Sequence, residues 1–157
     1  MNIELFVDIC RVEYKAVIKM LQEAIKLCPD EIWDKTFDEP PFWQQVYHTT
    51  YYMDFYLGDD PDKFEKRFSM KEDLKKRSDE TLTKEQLESY LVSIKKKVKY
   101  VLDKLDEKKL TEENRYFWTG PTVAHRLVYN IRHSQHHIGI LNSILRRCAN
   151  DASKWVI

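Results

Sequence analysis

The chain has 157 residues, enough for a single domain that buries roughly two thirds of the surface its unfolded form exposes, so no covalent staple is needed. Apolar residues make up 43% and charged residues 33%, with only three glycines and five prolines, which leaves little turn material for a many-stranded sheet and favours helices. Lys and Arg balance Asp and Glu at a net charge of zero, which removes the usual electrostatic drive toward nucleic acid or an anionic membrane.

The first helix is expected from about Ile3 to Leu27, because Leu5, Ile9, Val12, Ala16, Met20, Ala24 and Leu27 recur at three- and four-residue steps. Glu4 and Asp8 interrupt this stretch, so it does not read as a signal peptide, and no window approaches the ~18 apolar residues of a membrane span. A cytoplasmic protein is expected. Cys10, Cys28 and Cys148 are widely spaced and form no C-x-x-C pair, which suits reduced thiols lining a core. Pro29 and Asp30 end the helix, and a connector holding Trp33, Phe37, Pro40 and Pro41 follows.

A second, aromatic helix fits Phe42 to Leu57, with Pro41 near its first turn and Gly58 after its last. Residues 58 to 82 form a long charged link without a dominant period, expected either to cross the bundle or to hold a short helix. Thr83 and Gln86 make a capping-box pattern that starts a third helix, whose stripe is Leu87, Leu91, Ile94, Val98, Val101 and Leu105. After a further link, Thr119-Gly120-Pro121 reads as the start of a fourth helix with proline at its first position, running to about Cys148. No internal repeat marks a second unit, so residues 1–157 read as one all-α, four-helix domain.

The fourth helix carries the chemistry. It contains four of the five histidines and no acidic residue between Glu113 and Asp151. His133 and His137 are four apart and so share one face, while His136 points elsewhere. That face carries Val123, Leu127, Leu141, Ile144 and Leu145 at either end, but Asn130, His133, Ser134 and His137 in its middle turns. Polar groups inside a core cost several kcal/mol unless satisfied, so an interruption of about two turns calls for a ligand, and a metal ion would serve. His48 stands alone in the second helix. By itself it reads as a hydrogen-bonded core histidine; beside a His-x-x-x-His pair it reads as the third ligand. Three neutral imidazoles with a vacant fourth position are the donor set of a catalytic rather than a structural zinc-type site. A di-iron bundle would need Glu-x-x-His pairs and a zincin would need Glu after His133, where Ser134 stands.

Phe42-Trp43-x-x-x-Tyr47-His48, followed by Arg132-His133-Ser134-Gln135-His136-His137-Ile138-Gly139, resembles the DinB/YfiT-like superfamily over essentially the whole chain. Ile140 departs from the Gln that commonly follows the glycine in that family. The resemblance implies a four-helix bundle with a long crossover between helices two and three, holding one divalent ion through His48, His133 and His137. Zinc or nickel heads the candidates, although imidazoles also suit copper and iron. Characterised members of the family include S-transferases that use a low-molecular-weight thiol such as bacillithiol or mycothiol, and a thiol-dependent maleylpyruvate isomerase. On that model the ion would lower the pKa of a small-molecule thiol and present it to an electrophile. Arg126, two turns before His133, is then a candidate anchor for an anionic group, with a plain surface arginine as the alternative. Tyr51, Tyr52 and Tyr129 are candidate pocket walls or core rings, and Asn130 and Ser134 are candidate partners that orient the imidazoles.

Two function classes follow. One is a metal-dependent, thiol-using S-transferase, whose catalytic side chains the sequence does not name; the other is a non-catalytic bundle that holds a metal or a small ligand. The expected partner is a small molecule rather than nucleic acid or membrane, with homodimers common among bundles of this kind.

Overall fold

The computed structural model describes residues 2–36 and 40–157. Phe37 of the aromatic connector lies outside the described residues. Among the described residues there are six α-helices and no strand, with one isolated bridge between Glu113 and Thr122.

Helix α1 spans Ile3–Leu27, opened by Asn2, whose side chain accepts from the Leu5 N–H at 3.1 Å. Its buried face is Cys10, Tyr14, Val17, Leu21 and Ala24, at alternating three- and four-residue steps. The front of the expected stripe is on another side: Leu5, Ile9 and Val12 are each at least half exposed. The N-terminal half of this helix is apolar on two sides, and only packing against its neighbours decides which one turns inward. Helix α2, Asp30–Trp33, is a single turn that tucks Ile32 and Trp33 into the core, with Trp33 Nε1 donating to the Leu82 carbonyl at 2.8 Å.

Helix α3, Phe42–Phe55, follows Pro41 and ends two residues earlier than expected. It is buried almost all round, its polar Gln44, Gln45, Thr49 and Thr50 included. Helix α4, Lys84–Leu102, starts on the expected capping box: Gln86 N–H donates to Thr83 Oγ1 at 3.3 Å and Thr83 N–H to Gln86 Oε1 at 2.8 Å. Leu87, Leu91, Ile94 and Val98 are buried, and Leu105 falls beyond the helix end. The second link contains a short helix α5, Glu107–Thr111. Helix α6 is Val123–Ala149, closed by Asn150 in the left-handed region at φ 52°. Pro121 stands two residues ahead of α6 rather than at its first position, because Thr122 takes the N-cap place.

The long helices are neighbours in a ring, α1 and α3 each packing against both α4 and α6. Cross-helix contacts give their directions. Tyr14 reaches the Leu127 carbonyl and Gln135 reaches Met20, so α1 and α6 run the same way. Lys84 meets the Cys28 carbonyl while Arg11 meets Asp103, so α4 opposes α1. Asn130 reaches the Met53 carbonyl while His48 lies beside His137, so α3 opposes α6 and therefore runs parallel to α4, which Asp54 joins by accepting from the Tyr90 hydroxyl and the Lys97 ammonium.

Parallel neighbours need a long return, and residues 58–82 supply it with one 3₁₀ turn at Pro61–Lys63 as their only helix. The return lies along α3. Tyr47 donates to the Met70 carbonyl at 3.3 Å, His48 Nδ1 contacts the Glu72 carbonyl at 2.6 Å, and Gln44 Nε2 donates to the carbonyls of Asp73 and Lys76 at 3.0 and 2.7 Å. Gln44 Oε1 then accepts the Ser78 N–H at 3.0 Å. One face of α3 therefore substitutes for the regular structure that this segment lacks. No helix among the described residues is long and apolar enough to cross a membrane. Cys10, Cys28 and Cys148 are unpaired, and burial pushes the first two thiols up to about 11 and about 12.

Candidate metal centre

Antiparallel packing of α3 against α6 brings His48 beside His133 and His137. The ring centroids of His48 lie 5.4 Å from His133 and 4.4 Å from His137, and those two are 4.6 Å apart. One ring nitrogen from each lies within 4.8 Å of the other two. Tetrahedral ligation at bonds near 2.1 Å would set nitrogens roughly 3.4 Å apart, so rotamer adjustments of about 1 Å would close the group.

Each imidazole has a defined state. A carbonyl oxygen only accepts, so the contact with Glu72 makes His48 Nδ1 the donor and leaves Nε2 with its lone pair. Burial holds His133 down to about 4 and His137 down to about 3, with the neighbouring histidines adding to the effect. Burial also lowers His48, partly offset by the Glu72 carbonyl and by the Glu72 and Asp73 charges. All three are therefore neutral near pH 7.

The donor set suits a divalent ion. The Nδ1 atoms of His133 and His137 are buried and have no hydrogen-bond partner. An orphaned ring nitrogen in a core costs about 1–3 kcal/mol, and two of them beside a third imidazole mark a place held open for a ligand. Three nitrogen donors, with no thiolate among them, also match sites that keep a vacant position.

Residues 13–141 match the family model of the DinB superfamily, a span that includes all three histidines. The protein belongs to the DinB superfamily. Comparison with curated proteins and comparison with solved structures both gave no match. This DinB protein is all-helical and carries a three-histidine group that can hold a metal ion.

The other sequence-derived residues are distributed as follows. Tyr52 lies 4.7 Å from the His48 ring and 5.3 Å from the His133 ring, and Tyr129 stacks on His133 at 6.1 Å. Tyr51 is a core ring between Tyr47 and Phe64. Neither Asn130 nor Ser134 hydrogen-bonds to an imidazole: the Asn130 amide donates to the Met53 carbonyl at 3.0 Å, and Ser134 Oγ is buried without a partner. Arg126 is only 2% exposed, so it is not a surface arginine. A buried guanidinium needs an anion, and Asp59 sits 3.5 Å away, with Asn114 Oδ1 at 3.3 Å and the Tyr116 ring below. Its partners therefore come from the return segment, at Asp59, and from the link after α5, at Asn114 and Tyr116, two turns from the histidines along α6.

Three contributors escaped the sequence reading: the Glu72 carbonyl, Gln44 and Tyr47. A signal existed. Gln44, Tyr47 and His48 share one helical face beside a long link with no structure of its own, which implies that the face braces the link.

Proposed function

We propose that this DinB protein binds one divalent metal ion through His48, His133 and His137 and acts as an S-transferase, moving a low-molecular-weight thiol onto an electrophile. The observation that carries the reading is the meeting of three neutral imidazoles, two with unpartnered buried nitrogens, between two packed helices. When bound, the ion supplies a Lewis acid with a vacant position, at which a thiol's pKa falls toward neutral pH. Glu72 fixes the His48 tautomer through its carbonyl, and burial keeps His133 and His137 free of protons. Tyr52, kept protonated by its buried setting, offers a hydroxyl and a ring face beside His48. In the transfer the thiol releases its proton to water, its sulfur bonds to the electrophilic carbon, and the leaving group departs with its electron pair.

The test is elemental analysis of protein purified without an affinity tag, combined with a conjugation assay using bacillithiol or glutathione and 1-chloro-2,4-dinitrobenzene. One equivalent of metal and thiol-dependent turnover are expected, both lost together in His133→Ala and His137→Ala. Stoichiometric metal without turnover for any thiol leaves the non-catalytic metal-holding function in its place. Protein that retains no metal refutes both.

A further inference from the structure

The rings around His133 form a continuous row that reaches solvent. Tyr52, Tyr56 and Tyr129 lie 5.3, 6.0 and 6.1 Å from the His133 ring. Tyr56 meets Tyr129 edge-on at 5.2 Å, and its hydroxyl accepts from Trp118 Nε1 at 3.2 Å. Trp118 stacks with Phe55 at 6.5 Å and meets Phe117 edge-on at 5.0 Å. The outer end of the row is wet, with Trp118 46% and Phe117 80% exposed.

These two rings do not hang from a loose loop. The 3₁₀ turn Phe117–Thr119 that carries them is tied underneath by buried Asn114, whose Nδ2 reaches the Tyr116 carbonyl, Thr119 Oγ1 and the Gly120 carbonyl at 2.9, 2.7 and 2.8 Å. Tyr116 is fully buried, and its hydroxyl donates to the Phe55 carbonyl at 2.9 Å. A rigid turn thus holds large apolar rings in water at the edge of a half-buried histidine site. Such placement is costly for the free protein and favourable once a flat ligand covers the rings. Arg132 lies over the Tyr129 ring at 5.2 Å, so that ring already carries a cation.

We propose that the exposed end of this row, Trp118 and Phe117, is the outer wall of the approach to the histidine site and that the electrophile has a planar aromatic body, laid against Trp118 with its reacting end directed toward His133. The inference rests on the metal-binding reading above and adds the substrate class to it.

The experiment uses the full chain loaded with cobalt(II), titrated with imidazole and with 4-phenylimidazole while the visible absorption of the cobalt is followed. Both probes offer the same coordinating nitrogen, and only one offers an aromatic body. We expect 4-phenylimidazole to bind about tenfold more tightly than imidazole. Trp118→Ala should reduce that preference to about twofold or less, Trp118→Phe should keep most of it, and Trp155→Ala, at an exposed tryptophan outside the row, should leave it intact. Equal affinities in the unmodified protein, or a preference that survives Trp118→Ala, overturn the aromatic wall while leaving the metal centre standing. If cobalt does not bind, or imidazole does not change its spectrum, the metal reading itself has failed and the wall falls with it.

Discussion

Replacing His137 with leucine should stabilise the metal-free protein, the reverse of what a core substitution usually does. His137 is 7% exposed and its Nδ1 is buried without a partner, a deficit of about 1–3 kcal/mol that leucine removes while filling most of the same space. For a chain of this size a gain of about 1–2 kcal/mol corresponds to a rise in melting temperature of roughly 2–8 °C. Zinc should reverse the order. At about a thousandfold excess over its dissociation constant the ion adds about 4 kcal/mol to the protein with all three histidines, and much less to a variant with two. The assay is thermal melting by circular dichroism on chelator-treated, untagged protein, with and without zinc. The reasoning is refuted if metal-free His137→Leu loses about 2 kcal/mol or more, the ordinary cost of a disrupted core, and zinc stabilises both proteins equally.

The same burial predicts a pH dependence. Below the ordinary histidine value of 6.5 the unfolded chain takes up protons that folded, metal-free His133 and His137 refuse until about pH 4 and about pH 3. Stability is therefore full above 6.5 and falls as the pH drops toward 4, by at most ~1.4 kcal/mol per pH unit for each histidine and less for half-buried His133, which solvent screens. Urea melts across that range should show a shallower slope in the His133→Leu, His137→Leu double variant, and identical slopes would contradict the assignment. Gln44→Leu removes three hydrogen bonds from the return segment, so it should cost about 1–3 kcal/mol and, by freeing the Glu72 carbonyl from His48, weaken metal binding about tenfold. Hydrogen exchange over residues 70–80 should rise with it, and unchanged protection there would remove Gln44 from the site's support. Gly139 lies in the interior of α6, and a Cβ added there meets nothing within 4 Å, so Gly139→Ala should stabilise the protein by about 0.5–1 kcal/mol. A loss of stability on denaturant titration would show that the position needs glycine for a reason outside this chain's own packing.

Local chemistry was legible where neighbours in sequence are also neighbours in space. The Thr83–Gln86 capping box, the α4 stripe from Leu87 to Val98 and the shared face of His133 and His137 depend on helical spacing alone, and each is present, while Leu105 falls past the helix end. Proximity across helices was legible only through chemistry: a lone His48 in an aromatic helix and a polar break in α6 each lacked a partner, and the structure sets them side by side.

Tertiary packing decided the rest, because it chooses among faces and partners that the sequence leaves equivalent. Leu5, Ile9 and Val12 satisfy helical periodicity as well as Cys10, Tyr14 and Val17 do, and only the positions of α4 and α6 select the second set for the core. Arg126 has the spacing of a site residue, yet a guanidinium drawn inside follows the nearest anion, which the return segment supplies at Asp59. His48 owes its tautomer to a main-chain carbonyl 24 residues away, an acceptor that every residue carries. Residue types and helical periods thus determined which chemistry this protein can hold. The meeting of parallel α3 and α4, and the long return it requires, decided which backbone atoms hold that chemistry in place.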